Sequence, residues 1–203
     1  MPMKRVCVFC GSSPGSRPEF TAKAGELGRV LAGNGIGLVY GGAKIGMMGA
    51  VASAALEANG EVIGIIPRDL VNKEIAFTRI SDLRVVNSMH ERKALMAELS
   101  DGFIALPGGL GTIEEFFEIL TWAQLGIHKK PCGLLNVCGY YDKMIEFFDQ
   151  AVQEQFINPS ARSLVLVDES PPALLKKFQD YRPPKIDKAA WALALENHNM
   201  SKT

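Results

Sequence analysis

Short apolar runs alternate with helix-length segments along most of this chain. Seven of the runs are predicted to be strands, at residues 6–10, 37–40, 62–66, 84–86, 103–106, 133–137 and 164–167. Continuous apolar runs of this length are typical of parallel strands buried on both faces, and the segments between them are long enough for crossover helices. The pattern therefore predicts an α/β fold with an open, mostly parallel sheet of about seven strands and helices on both faces.

Two intervening segments carry further signals. The first helix is expected to begin near Ser16 and Pro18, a cap residue followed by an early proline, and to end at the glycines of residues 33–35. Residues 67–78 form a crossover with weak periodicity. Long connections of this kind are often functional.

Length and charge restrict the possible classes of protein. The 203 residues fit one domain, which we place at 1–182, followed by a partly flexible C-terminal tail at 183–203. The 22 basic and 22 acidic residues balance, so no general field attracts nucleic acid or an anionic membrane. No apolar run approaches the roughly 20 residues of a membrane span. We expect a soluble, cytoplasmic protein without nucleic-acid or membrane partners.

The four cysteines, at positions 7, 10, 132 and 138, do not require disulfides in a chain of this size. Cys7 and Cys10 have the spacing of a redox motif or half a zinc site, but they lie inside an apolar run with no matching Cys/His pair nearby. Because a structural zinc needs four ligands, we favour reduced, buried thiols and expect no metal.

Three glycine-rich turns follow predicted strands, at residues 10–15, 41–49 and 107–112. In a parallel sheet such turns expose backbone N–H groups, and the next helix adds the positive end of its dipole, so phosphate is the expected ligand. A single turn of this kind could be merely a tight connection. Three in one chain favour an anion or nucleotide site.

The turns do not match the common nucleotide motifs. The first lacks the G-x-G-x-x-G sequence of dinucleotide-binding proteins, which weakens the case for an NAD-linked oxidoreductase. The second has Met47 and Met48 where a phosphate-binding P-loop carries lysine and serine or threonine. ATP or GTP hydrolysis through that turn is disfavoured.

Arg92 lies on an apolar helical stripe. Ser88 and Glu91 form a capping box that predicts a helix start, and helical spacing places Arg92 among Met89, Leu95, Met96 and Leu99. A guanidinium there must be satisfied by a carboxylate, by carbonyls or by a ligand. An internal ion pair, a snorkelling side chain and phosphate binding all remain open.

Glu115 also has two interpretations. Thr112 and Glu115 have capping-box spacing, so Glu115 could cap the helix after the third turn. It could equally face a ligand held by that turn. Periodicity does not decide, because Glu115 falls at the border of the apolar face.

Six segments of this chain form a specific combination. They are Cys10-Gly-Ser-Ser, Tyr40-Gly-Gly, Met89-His-Glu-Arg-Lys, Pro107-Gly-Gly-Leu-Gly-Thr-Ile-Glu-Glu, Thr121-Trp-Ala-Gln-Leu-Gly and Lys130-Pro-Cys-Gly-Leu-Leu-Asn. Together they resemble the Lonely Guy family, formerly labelled lysine decarboxylases. The resemblance spans about residues 4–170, and its specific part is the combination of Arg92-Lys93 on one helix with P-G-G-x-G-T-x-x-E opening the next.

The resemblance implies a Rossmann-like homodimer that hydrolyses the N-glycosidic bond of cytokinin riboside 5′-monophosphates or AMP, giving free base and ribose 5-phosphate without a cofactor. It implies that Arg92 and Glu115 are catalytic. The substrate-binding set expected on this basis is Gly11, Ser12, Gly41, Gly42, Glu74, Arg92, Lys93, Gly108, Gly109, Leu110, Gly111, Thr112, Ile113, Glu114, Glu115 and Thr121.

Two further alternatives follow from the same residues. One is a nucleotide-binding protein without catalysis, in which Arg92 and Glu115 are a structural pair. The other is the old decarboxylase label, which would require a Schiff-base lysine and a supporting site for pyridoxal phosphate that the sequence does not display.

Overall fold

The computed structural model describes residues 3–71 and 76–200, the side chains of 198–200 excepted. Its centre is a seven-stranded, all-parallel sheet in the order β4-β3-β2-β1-β5-β6-β7. The strands are β1 (Arg5–Phe9), β2 (Gly37–Tyr40), β3 (Val62–Pro67), β4 (Asp82–Val86), β5 (Gly102–Ala105), β6 (Cys132–Leu135) and β7 (Val165–Asp168). All seven predicted strands are confirmed, with ends displaced by at most two residues.

Eight helices connect or follow the strands within the described ranges. They are α1 (Pro18–Gly33), α2 (Gly46–Glu57), α3 (Met89–Leu99), α4 (Leu110–Gln124), α5 (Asp142–Gln153), α6 (Pro159–Arg162), α7 (Pro171–Asp180) and α8 (Lys188–Met200). The first helix begins at Pro18, near the expected start, but its cap residue is Arg17, which makes no side-chain cap hydrogen bond, and not Ser16. Proline at its first position supplies the fixed φ that a helix start favours.

The core lies in two layers, one on each face of the sheet. Side chains of α1, α2 and α7 pack on one face. Those of α3, α4 and α5 pack on the other. Along β1 the side chains alternate between these layers, as strand geometry requires, so Val6 and Val8 face the first layer while Cys7 and Phe9 face the second. The predicted arrangement of helices on both faces is confirmed.

The C-terminal region contains α8 beyond α7, joined by residues 181–187. Ile186 of this connection packs against the second core layer. The division into a domain at 1–182 and a partly flexible tail stays a prediction. In the part of the chain that the structure covers, no helix is both long and apolar enough to cross a bilayer.

Candidate active site

The strand order reverses between β1 and β5, and the two following loops meet there. From β1 the chain proceeds outward through β2, β3 and β4, then returns to β5 on the other side of β1. In open parallel sheets this switch point creates a crevice at the carboxyl ends of the strands, where ligands bind. The backbone N–H of Gly11 after β1 donates to the carbonyl of Pro107 after β5, at 3.1 Å, so the loops contact each other directly.

A cavity of about 290 Å³ occupies this crevice and is called the switch-point cavity below. Its volume is close to the lower end of the roughly 300–1,000 Å³ usual for small-molecule sites. Ten of the predicted site residues are among those that line it. They are Gly11, Ser12, Gly41, Arg92, Gly109, Leu110, Gly111, Thr112, Glu114 and Glu115.

The three glycine-rich turns are not equivalent. Two N–H groups at the start of α2 donate hydrogen bonds to the first turn. That of Met47 donates to the Ser13 carbonyl at 3.3 Å, and that of Met48 donates to the Gly11 carbonyl at 3.4 Å. The start of α1 at Pro18 does not reach the cavity. The first residues of α4, Leu110, Gly111 and Thr112, line the cavity, whereas from the start of α2 the lining includes Met48, whose N–H already donates to the Gly11 carbonyl. Of the three turns that together favoured an anion or nucleotide site, the third is therefore the one whose following helix start best suits an anion.

The start of α4 also corrects the capping-box interpretation of Glu115. Gly109 is the cap residue and makes no side-chain cap bond, so Thr112 lies inside the first turn of the helix instead of preceding it. Glu115 is consequently one turn further along and cannot act as the capping glutamate of this helix. Its side chain is buried in the cavity lining, beside Thr112.

Arg92 is one of only two buried residues that α3 contributes, as its place on the apolar stripe predicts. Its Nε donates to the carbonyl of Ile65 at 3.0 Å, and Nη2 donates to the carbonyl of Gly41 at 3.3 Å. Nη1 lies 3.5 Å from Oε1 of Glu115. The guanidinium is thus satisfied by carbonyls and a carboxylate together, and it remains in the lining of the cavity.

Gly41 makes room for this guanidinium. A Cβ at position 41 would overlap Nη2 of Arg92 and lie 2.9 Å from the sulfur of Met48. Glycine is therefore required at the end of β2 so that the arginine can reach across from α3. The second turn serves the site by accommodating Arg92.

Lys93 is not among the residues that line the switch-point cavity, and it joins α3 to α4. Its Nζ bonds Oε1 of Glu114 at 2.6 Å and Oε1 of Glu118 at 3.1 Å. The hydrogen bond to Glu114 raises the pKa of Lys93, against the opposing effect of burial. This lysine links the two helices that carry Arg92 and Glu115.

The other predicted positions lie outside the described lining of the cavity. Gly42 has a φ of 84° and accepts the Phe77 N–H, so it forms a tight turn. Thr121 lies near the far end of α4 and donates to the carbonyl of Phe117. Ile113 and Gly108 adjoin the lining without entering it. Glu74 lies outside the described residues.

The sequence interpretation missed an apolar part of the lining. Met48, Leu70 and Met89 lie there together with Leu110, which is 87% exposed. Apolar residues carry no sequence signal that separates a cavity wall from a core, so only the fold brings them together.

Cys7 and Cys10 do not form a shared site. Their side chains lie in different core layers on opposite faces of the sheet. Burial, and then the negative charge of Glu115, raise the pKa of both thiols, so both are neutral. Across residues 3–71 and 76–200 no cluster of three His, Cys, Asp or Glu side chains could hold a metal ion.

A switch-point cavity with one open helix start and a buried arginine–glutamate pair defines an α/β protein built to bind a small anionic ligand. The sequence profile of the family described as "Possible lysine decarboxylase" matches residues 48–178. The chain belongs to this family, the Lonely Guy family.

Similar proteins support the assignment over nearly the full chain. LOGL5 of Oryza sativa subsp. japonica, named a probable cytokinin riboside 5′-monophosphate phosphoribohydrolase, is 47% identical over 98% of this chain and 81% of its own length. LOG1 of Arabidopsis thaliana, named a cytokinin riboside 5′-monophosphate phosphoribohydrolase, is 51% identical over 89% of this chain and 84% of its own length. The molybdenum cofactor binding protein of Rippkaea orientalis has the same fold, with a TM-score of 0.66 at 23% identity, covering 89% of this chain and 98% of that one.

Proposed function

We propose that this protein hydrolyses the N-glycosidic bond of a nucleoside 5′-monophosphate, releasing the free base and D-ribose 5-phosphate. The observation that carries the proposal is the buried pair of Arg92 and Glu115 in the switch-point cavity, beside the open start of α4. The names of the plant relatives support cytokinin riboside 5′-monophosphates as substrates. AMP offers the same phosphate, ribose and purine nitrogen.

The phosphate binds at the start of α4. The N–H groups of the cap residue Gly109 and of the first helical residues, Leu110, Gly111 and Thr112, are not needed for the helix's own hydrogen bonds. Together with the helix dipole they favour a dianion. Gly109 and Gly111 leave this approach open, since a Cβ at either would meet nothing within 4 Å.

The reaction then takes place beside Glu115. As the bond from C1′ to the base nitrogen breaks, its electron pair leaves with the base and positive charge develops on the sugar ring. A carboxylate close to that charge stabilises the oxocarbenium-like transition state and accepts a proton from the attacking water. The water oxygen forms the new bond to C1′, and the departing base gains a proton.

Arg92 orients Glu115 and the substrate. Two of its nitrogens are fixed by the carbonyls of Ile65 and Gly41, so the guanidinium cannot turn away from the carboxylate. Binding of the remote phosphate holds the sugar in place relative to this pair. Such positioning supports a requirement for monophosphates over nucleosides.

The test is incubation of the purified protein with AMP, and separately with isopentenyladenosine monophosphate, followed by chromatography of free base and ribose 5-phosphate. Release of both products from either nucleotide, and little release from adenosine, supports the proposal. Absence of base from both nucleotides overturns it and favours a non-catalytic nucleotide-binding protein of the same fold.

The decarboxylase label receives less support from the site. The described residues lining the switch-point cavity include an arginine and two glutamates but no lysine. Schiff-base chemistry with pyridoxal phosphate depends on a lysine at the reacting centre. A cadaverine assay with lysine and pyridoxal phosphate serves as the counter-test.

The proposal includes a cytoplasmic homodimer that acts on free nucleotides. All four cysteines are free thiols, which fits a reducing compartment. Met89 and Leu110 line the cavity and are also exposed, and a second copy of the chain could cover them. Light scattering coupled to gel filtration measures the mass in solution, and a monomer would contradict this part of the proposal.

A further inference from the structure

Two consecutive tyrosines contact the glycine-rich loop between β5 and α4 from the side away from the switch-point cavity. The hydroxyl of Tyr141 donates to the carbonyl of Leu106 at 2.7 Å. The hydroxyl of Tyr140 donates to the carbonyl of Gly108 at 2.6 Å. Pro107, between these two carbonyls, accepts the Gly11 N–H. Three successive carbonyls of the loop are therefore each fixed by a different partner.

The segment that presents the tyrosines is itself held in place. After β6, Oδ1 of Asn136 accepts the Tyr141 N–H at 2.7 Å, while its Nδ2 donates to Oδ1 of Asp142 at 2.7 Å. Cys138 and Gly139 adopt φ values of 53° and 70°, which reverse the chain between β6 and α5. The turn is thus fixed by a buried asparagine side chain.

The ring of Tyr140 is also restrained. It packs edge-to-face on Phe20 at 5.8 Å between ring centroids and on Tyr141 at 5.0 Å. Such contacts define the ring's orientation. The hydroxyl is consequently held at the Gly108 carbonyl even though the residue is exposed at the surface.

The Gly108 carbonyl shares a peptide plane with the Gly109 N–H. In a trans peptide these two groups point in opposite directions, so fixing the carbonyl toward Tyr140 directs the N–H away from it. Gly109 lines the switch-point cavity, whereas Gly108 and Tyr140 do not. A hydroxyl on one side of the loop therefore determines the direction of a phosphate-binding N–H group on the other.

We propose that Tyr140 is a positioning residue for phosphate recognition, acting through the Gly108–Gly109 peptide. The inference rests on the proposed function in one respect, that the phosphate binds at the start of α4. The ligand concerned is the 5′-phosphate of the nucleotide, and the tyrosine makes no contact with it.

The decisive variant is Tyr140→Phe, which removes the hydroxyl and keeps the ring contacts with Phe20 and Tyr141. Its affinity for AMP and for adenosine is measured by calorimetry in a Glu115→Gln background, so that no turnover intervenes. One lost hydrogen bond should weaken AMP binding by about two- to tenfold while adenosine binding is unchanged. In protein that retains Glu115, KM for AMP rises by the same factor and kcat changes little.

Tyr181→Phe provides the matched control, since Tyr181 lies among residues that precede the strands, at the opposite edge of the sheet. It should leave both affinities and the KM unchanged. Equal weakening of AMP and adenosine by Tyr140→Phe, or no weakening of AMP, overturns the inference. Because binding is measured without turnover, a wild-type protein that binds AMP but releases no base contradicts the proposed function and leaves this test valid. Absence of AMP binding contradicts both.

Discussion

Nη1 of Arg92 lies 3.5 Å from Oε1 of Glu115, and both side chains are almost entirely buried. Removing two opposite charges from water costs about as much free energy as their attraction returns, so a buried pair of this kind adds little to stability. Its position in the switch-point cavity suits chemistry better, because a fixed carboxylate in a low-dielectric site interacts strongly with a developing positive charge.

Glu115→Gln tests this chemistry directly. The amide has the same shape but cannot stabilise the cation or accept a proton, so base release from AMP should fall by about 10²- to 10⁴-fold. The measurement is a single-turnover assay with circular dichroism to verify folding. Activity within threefold of wild type would remove Glu115 from the mechanism.

Arg92→Lys should lose activity to a similar degree while keeping the fold. A lysine supplies a single cationic nitrogen and cannot bond the Ile65 carbonyl, the Gly41 carbonyl and Glu115 in the fixed geometry of the guanidinium. Arg92→Ala is a less informative test, because two buried carbonyls would lose their donor. Each loss lowers the free energy of unfolding by about 1–3 kcal/mol. Wild-type turnover in Arg92→Lys argues against a positioning role.

Gly41→Ala should displace the guanidinium. The added methyl group would overlap Nη2 of Arg92, so the arginine must move and the protein should lose about 1–3 kcal/mol of unfolding free energy together with most activity. Gly33→Ala is the control, because a Cβ at the end of α1 meets nothing within 4 Å. Urea denaturation and AMP turnover measure both effects. Equal behaviour of the two variants would contradict the packing argument.

Lys93 should stabilise the folded protein at neutral pH, and this stabilisation should be lost at alkaline pH. Its pKa is raised above the ordinary 10.5, chiefly by the hydrogen bond to Glu114, so the folded state favours the ammonium form. The contribution is complete below pH 10.5 and is lost as the pH rises through the raised pKa. Lys93→Met should therefore be less stable than wild type at pH 8, by about 0.5–1 kcal/mol. The difference should shrink at pH 11, and a gap that persists there would contradict the assignment.

His128 should make the protein less stable in mild acid. Burial lowers its pKa below the ordinary 6.5. Nδ1 accepts the Lys130 N–H at 3.1 Å, which leaves Nε2 to donate to the Ile119 carbonyl at 2.9 Å, so the ring is fixed in its neutral form. The unfolded chain takes up a proton first, and stability falls as the pH drops below 6.5. Thermal melts at several pH values between 5 and 8 measure this effect. The melting temperature should change less with pH for His128→Gln than for the wild type.

The fold was predictable because buried parallel strands leave a strong pattern. Short apolar runs alternating with helix-length segments identified all seven strands, and the capping box at Ser88 correctly predicted the start of α3. The strand order could not be derived, since pairing depends on contacts between residues far apart in sequence. Thr112 and Glu115 show the limit of local motifs. They have capping-box spacing, but the cap residue is Gly109, so the helix begins before Thr112.

The site was predictable only in part for the same reason. The buried position of Arg92 followed from helical spacing, but its partner carbonyls belong to Ile65 on β3 and to Gly41 in the turn after β2. The two tyrosines that fix the loop carbonyls were missed altogether. Their side chains look like ordinary aromatic residues until the fold places them beside the loop.

The strand reversal at the centre of the sheet has a consequence for folding. Val6 on β1 pairs with Gly102 on β5, so the two edges of the crevice come from distant parts of the chain. Closing so large a loop is slow, and neither half can form the crevice alone. A chain can therefore bind nucleotide only after both halves of the sheet have folded together. Because the ligand binds only the native state, it lowers the population of partly folded chains by mass action.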